Sequence, residues 1–301
     1  MTRVAVVDLG TNSTRLLVAD VEDGTLREVE RRLTITRLGE GVDAGRALLP
    51  AAMARVEDCL AGYRRTIEEL GAERALAFAT SAVRDAGNGD AFLAGVESSF
   101  GLPTRLLSGE EEALLTFRGV AAERTLDGLT LVVDLGGGST EVVLGSAEGV
   151  AFRASLDLGC VRLTERFFAQ DPPGACDVEA LVVSVRSLLR ELPDDPLPAR
   201  GIGVAGTVTT LATLHLGLEE EDPERVHGHL LPHAWIAVEA LRLAATPVAE
   251  LRRRPGIVPE RAPVIAAGAL ALAQILDFFE LKKLEVSEWD ILHGAALEAA
   301  A

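Results

Sequence analysis

The sequence predicts a two-domain α/β protein whose halves open with the same strand–turn–strand hairpin. Three observations carry that expectation. First, Val6-Val7-Asp8-Leu9-Gly10-Thr11-Asn12-Ser13-Thr14-Arg15 returns as Val132-Val133-Asp134-Leu135-Gly136-Gly137-Gly138-Ser139-Thr140-Glu141, identical at seven of ten aligned positions. Second, each copy runs from an apolar strand through an aspartate and a turn of glycine and small hydroxyl residues into another apolar strand. Third, the segments that follow each copy switch between helical and strand periodicity, the order that builds helices onto a sheet.

The elements follow in order. In the first half, strands at 4–7, 15–20 and 26–38 form a meander. A helix over 51–70 follows, with apolar residues at helical spacing, then a strand at 75–79, a helix at 90–100, a strand at 104–107 and a helix at 110–122. The second half repeats the meander at 131–133, 141–144 and 150–156. Helices then dominate, with strands at 202–205 and 284–286. The domain break falls between residues 123 and 128, which gives domains of 1–125 and 126–301. A terminal helix over 290–299 is expected to pack back toward the first domain. The two hairpin loops are expected to face each other across one cleft.

Composition narrows the class. With 301 residues, 48% hydrophobic and 25% charged, the chain is long enough for two cores and globular rather than disordered. A strand begins within the first few residues, which leaves no room for a signal peptide, and no apolar run reaches the length of a membrane span. Cys59, Cys160 and Cys176 are scattered and odd in number, which argues against a disulfide framework and a zinc site and fits a reducing cytoplasm. A net charge of −17 opposes general nucleic-acid binding, because phosphate backbones are held by basic surface. An anionic substrate must therefore be met locally.

The hairpins can meet it. Glycine lets the backbone approach a phosphate, turn N–H groups bind its oxygens, and a neighbouring carboxylate can hold a hydrated divalent cation. Gly10, Thr11, Asn12 and Ser13 in the first copy, and Gly136, Gly137, Gly138, Ser139 and Thr140 in the second, are the candidate phosphate cradle. The copies differ where Arg15 stands opposite Glu141 in the alignment. A cleft that needs both a phosphate partner and a metal anchor would show that asymmetry, and so would an ordinary cross-strand pair.

Ser108-Gly109-Glu110-Glu111-Glu112-Ala113 carries the next signal. Ser108 with Glu111 three residues on is a capping box, so these carboxylates start a helix directly after a strand. Acidic residues in a first turn also suit the helix dipole, which accounts for Glu110 and Glu111 without further function. Glu112 is the candidate general base.

At this point the motifs resemble a known family. Asp8 to Ser13, Ala79-Thr80-Ser81-Ala82-Val83-Arg84-Asp85-Ala86-Gly87-Asn88, Ser108 to Ala113, and Asp134 to Glu141 are similar to the ordered motifs of the exopolyphosphatase/guanosine pentaphosphate phosphatase (Ppx/GppA) family. Gly203-Val204-Ala205-Gly206-Thr207, Arg261 to Gly268 and the stretch from Val286 to Gly294 continue the resemblance over almost the whole chain. The hairpins alone are shared with the wider sugar kinase/heat-shock chaperone/actin superfamily. The resemblance implies two actin-like (ribonuclease H-like) domains with an active-site cleft between them, in the short two-domain form.

It also implies hydrolysis of terminal phosphoanhydride bonds of inorganic polyphosphate, with guanosine pentaphosphate (pppGpp) as the alternative substrate. An ATP-dependent kinase or a non-catalytic nucleotide-binding protein are the other classes. Such hydrolysis passes through a loose transition state, so the protein chiefly positions a water and stabilises charge. Glu112 would activate that water, and Asp134, Glu141 and Asp8 would hold Mg²⁺, or Mn²⁺ in its place. By the same resemblance Arg84 joins Arg15 on the phosphate oxygens. Gly206 and Thr207 open a helix whose amides suit a phosphate. A homodimer is implied in the same way.

Weaker constellations remain. His227-Gly228-His229 with His233 has metal-like spacing but no accompanying carboxylate or cysteine pattern. Arg252-Arg253-Arg254, Lys282-Lys283 and Arg261 are either solvated charge or a track guiding a long polyanion. Asn12 and Asn88 are either substrate contacts or residues that serve their turns.

Overall fold

A computed structural model describes all residues from Met1 to Ala301. The chain divides into two compact units, Met1–Thr125 with Trp289–Ala301, and Leu126–Glu288.

The first unit contains β1 (Thr2–Leu9), β2 (Ser13–Glu22), β3 (Thr25–Ile35), α1 (Val42–Gly45), α2 (Pro50–Leu70), β4 (Arg74–Ala79), α3 (Ser81–Arg84), α4 (Gly89–Phe100), β5 (Thr104–Leu106) and α5 (Gly109–Glu123). Its sheet has the order β3-β2-β1-β4-β5, with β1, β2 and β3 antiparallel and β4 and β5 parallel to β1. Strand β1 reads as a continuous apolar run because both faces of the sheet are covered. Ala5, Val7 and Leu9 pack in one layer with Val56 and Leu60 of α2 and Leu93 of α4. Val4 and Val6 alternate into the other layer, against Leu115 of α5 and Ile291, Leu292, Ala295 and Ala296 near the C-terminus.

Strand β3 carries the edge, and its charged, mostly exposed residues suit that place. It ends at Ile35 rather than at residue 38. Thr36, Arg37 and Gly39 leave the ladder to give their N–H groups to the first hairpin turn. Helix α2 is delimited as its sequence suggests, with Pro50 at its start and Gly71 in the left-handed conformation at its end.

The second unit contains β6 (Thr130–Leu135), β7 (Thr140–Ser146), β8 (Gly149–Leu156), α6 (Cys160–Phe167), α7 (Ala175–Leu189), β9 (Arg200–Val204), α8 (Gly206–His215), α9 (Pro223–Val226), β10 (Leu230–Pro232), α10 (His233–Ala244), α11 (Val248–Leu251), α12 (Ile265–Phe278) and β11 (Lys283–Val286). The order β10-β11-β9-β6-β7-β8 contains the same antiparallel meander joined to parallel strands, with β10 added antiparallel at the edge. Each unit therefore has the ribonuclease H-like arrangement. Helix α12 is apolar nearly all round, and its residues from Ile265 to Ala273 are all buried, the burial expected of a helix without a polar face.

The last helix, α13 (Ile291–Ala300), groups with the first unit, so the second unit ends at Glu288 and not at residue 301. The physical reason is its apolar face, which completes the outer layer on β1. Glycine permits the close approach. A Cβ on Gly119 would run into the Asp290 carbonyl, and one on Gly294 would run into the Leu115 carbonyl, so α5 and α13 cross backbone to backbone.

Candidate active-site residues in each unit

In the first unit the turn between β1 and β2 is held from behind. Gly10 N–H donates to the Ser13 carbonyl at 3.0 Å, the Asn12 carbonyl accepts from Thr36 and Arg37, and the Thr11 carbonyl accepts from Gly39 at 2.8 Å. Those peptides are planar and trans, so with their carbonyls turned toward residues 36–39 the N–H groups of Asn12 and Ser13 point to the opposite side. That is the geometry of an anion cradle. Asn12 takes part in this anchoring through its backbone carbonyl. Asn88 clips the backbone of Leu48 through two bonds of 2.8 and 3.0 Å.

Asp8 is 4% exposed and lies directly across the hairpin from Arg15. Its Oδ2 accepts from Arg15 Nε at 2.9 Å and Nη2 at 2.6 Å, while Oδ1 is buried and accepts no hydrogen bond. Both oxygens lie beside Gly10. Burial pushes the Asp8 carboxyl up from its ordinary range, against the pull of Arg15. A hard oxygen donor buried without a partner at a phosphate-type turn fits a hydrated divalent cation. Arg15 is not free: Asp290 Oδ2 takes its Nη1. Asp290, which the sequence reading did not single out, precedes an apolar helical run and so is legible as an N-cap, but its partner in β2 is not.

The capping box at α5 is present. Glu111 accepts the Ser108 N–H at 2.8 Å and the Ser108 hydroxyl at 2.8 Å, and its own N–H donates to Ser108 Oγ at 3.3 Å. The Ser108 amide, with Arg105 beside it, lowers the Glu111 carboxyl to about 2. Glu110 is exposed, whereas Glu112 is 5% exposed and pairs with Arg84. Arg84 ends the short helix α3, and its Nη1 also donates to the Leu107 carbonyl at 2.8 Å. Three consecutive glutamates thus have three environments, and Glu112 faces the guanidinium at the end of α3.

In the second unit the turn between β6 and β7 rests on α6. The carbonyls of Gly136 and Gly137 accept from Cys160, Val161 and Arg162, and the Gly138 carbonyl accepts from Arg162 Nε at 2.7 Å. A Cβ on Gly159 would run into Gly137, so glycine is required there. By peptide planarity the N–H groups of Gly137, Gly138 and Ser139 face away from α6. Asp134 and Glu141 are cross-strand neighbours, 8% and 3% exposed, and Ser155 Oγ donates to Glu141 at 2.7 Å. Two buried carboxylates side by side at such a turn also fit a hard cation. Thr140 is committed inward, its hydroxyl donating to the Leu158 carbonyl.

Gly206 and Thr207 open α8, and Ala205 before them takes φ 73°, a strained value for a residue with a Cβ. The Thr207 side chain packs against Gly268 and Cys160, which leaves its first-turn amide as the group suited to an anion. Arg261 lies over Gly206 and is 7% exposed, bonded to Glu221 at 2.8 Å and Thr210 at 3.1 Å. It braces the start of α8 and is not part of an exposed track. The histidines separate: His229 bonds His215 at 2.7 Å, His227 accepts from the Glu288 amide at 3.1 Å, and His233 meets the Ala273 carbonyl at 3.1 Å.

Residues 17–300 match the model of the Ppx/GppA phosphatase family. Exopolyphosphatase 2 of Mycobacterium tuberculosis is 40% identical over 318 residues, covering 100% of this chain and 99% of that protein. A guanosine-5'-triphosphate,3'-diphosphate pyrophosphatase of Vibrio vulnificus is 30% identical over 98% of this chain, which spans 58% of the relative's length. Among solved structures, the Aquifex aeolicus Ppx/GppA protein superposes with a TM-score of 0.84 at 34% identity, covering 99% of this chain and 97% of its own.

Proposed function

Because the chain belongs to the Ppx/GppA phosphatase family, we propose that it is an exopolyphosphatase, a hydrolase that removes terminal orthophosphate from inorganic polyphosphate. The observation that carries the residue-level reading is the pairing of Glu112 with Arg84 at the capped start of α5. Glu112 is buried, carboxylate-bearing and distinct from its two neighbours, which supports it as the group that orients and deprotonates the attacking water. In the first unit Arg84 and the amides of the β1–β2 turn would take oxygens of the terminal phosphoryl group, where charge stabilisation counts most, and the turn amides of the second unit are suited to phosphate oxygens in the same way. Arg15 would reach a phosphate only by leaving Asp8 and Asp290, so its part is electrostatic. Asp8 in the first unit, and Asp134 with Glu141 in the second, are the groups that would hold Mg²⁺ or Mn²⁺, which when bound neutralises phosphoryl charge.

Hydrolysis of pppGpp is the second reading, favoured by the similarity to the Vibrio protein. Both readings place the enzyme in the cytoplasm, supported by three free cysteines, and as a homodimer, an expectation that sedimentation tests. No helix is long and apolar enough to cross a membrane. Phosphate release from polyphosphate and from pppGpp, each with Mg²⁺, separates the substrates. A larger kcat/KM for polyphosphate is expected, and release from pppGpp alone would transfer the assignment.

A further inference from the structure

Asp290 stands far from the first hairpin in sequence and against it in space, and its two carboxylate oxygens do different work. Oδ1 accepts the Leu292 N–H at 2.9 Å and caps α13, while Oδ2 takes Nη1 of Arg15. The residue is 2% exposed. Its place is fixed by the crossing of α5 and α13 at Gly119, where a Cβ would strike the Asp290 carbonyl. His293 closes the arrangement from behind: its Nδ1 accepts the Asp290 N–H at 3.1 Å and its Nε2 meets Glu28 at 2.7 Å. Arg31 lies 3.9 Å from Asp290 Oδ2. One guanidinium, that of Arg15, is thereby shared between Asp8 and Asp290.

We infer that Asp290 is a positioning residue for the first hairpin, drawing part of the Arg15 charge away from Asp8 so that Asp8 keeps an available oxygen for a divalent cation. Without Asp290, Arg15 and Asp8 would form a self-compensated pair. The cation would then meet one negative charge fewer than the shared arrangement offers. The unpartnered, buried Oδ1 of Asp8 is the mark of that arrangement. This inference rests on the reading that Asp8 helps to hold the cation.

The consequence is a change of sign that a purely structural residue would not produce. Asp290→Asn keeps a good capping oxygen for α13, removes the charge, and replaces the oxygen facing Arg15 with an amide NH₂. It should weaken Mn²⁺ binding, with an effect on the order of tenfold for one partly screened unit charge within the same side-chain network. Arg15→Met should move the affinity the opposite way. In an Asp8→Asn background the Asp290 substitution should have no further effect, because the coupling runs through Asp8.

The test is a Mn²⁺ titration of the substrate-free full chain followed by electron paramagnetic resonance, with thermal unfolding recorded for each variant. Arg15→Lys, which preserves the charge, should retain most of the native affinity and serves if Arg15→Met does not fold. Native-like Mn²⁺ affinity in Asp290→Asn would overturn the inference. So would a loss of the same size in the Asp8→Asn background. The titration contains no substrate, so a chain that released no phosphate from polyphosphate or pppGpp would count against the proposed function alone.

Discussion

Glu111 and Glu112 are adjacent carboxylates at one helix start with separate work. The first closes a capping box and the second turns inward to Arg84. The capping role has a pH signature. The folded-state carboxyl of Glu111 is lowered to about 2 from an ordinary 4.5, so its contribution is complete above 4.5 and is lost as pH falls toward 2. Denaturation midpoints of the native chain and of Glu111→Gln should therefore differ at pH 6 and converge below 4.5. A difference that stayed constant down to pH 3 would show that Glu111 stabilises the helix without its charge. At this scale the sequence was informative for local relations. Ser108 and Glu111 lie three residues apart, and Asp8, Asp134 and Glu141 sit within the repeated motif. Asp290 was not legible as a partner of Arg15, and neither was Glu221 as a partner of Arg261, because nothing local in a sequence records which distant side chains will meet.

Packing of α13 on α5 shows how much an element can depend on what a residue lacks. Alanine at Gly119 or Gly294 would place a Cβ into a neighbouring carbonyl, and neither backbone can yield without separating the helices. Each change should cost about 2 kcal/mol or more, the scale of overpacking in a close-packed interior. Gly62 in α2 and Gly95 in α4 have nothing within 4 Å of such a Cβ, so alanine there should stabilise by about 0.5–1 kcal/mol through helix propensity. Urea denaturation of the four single variants checks both signs, and four changes of one sign would contradict the packing described. Element types were read well where apolar periodicity was long, as in α2 and β1. The end of β3 differs from the sequence expectation because Thr36 to Leu38 continue a strand-like composition, while Thr36 and Arg37 give their N–H groups to the hairpin turn. Chain order alone assigns α13 to a second domain of 126–301, because it does not show that the last segment returns to the first unit.

At the scale of the whole molecule, a net charge of −17 makes local cation placement decisive for any polyanionic substrate. Arg254 is not available for that purpose without cost, because it pairs at 2.6 Å with Glu239, whose side chain is 2% exposed. Its removal should destabilise the fold by about 1–3 kcal/mol by leaving a buried carboxylate with a weaker partner. Arg252 and Arg253 are exposed, so a polyphosphate track is tested on them alone. Their double replacement by glutamine should raise KM for long chains more than for short ones at fixed ionic strength, whereas Arg84→Ala should impair all lengths together. Equal losses for both lengths in the double variant would make that run ordinary solvated surface. The duplicated hairpin made the two-part plan legible, because internal repetition survives in sequence where tertiary pairing does not. The most direct measurement is phosphate release from polyphosphate by the native chain and by Glu112→Gln, alongside thermal unfolding of both. Release by the native chain, a loss of at least about a hundredfold in the variant and an unchanged unfolding temperature are expected. Near-native turnover by Glu112→Gln, or no release by the native chain, would contradict the assignment.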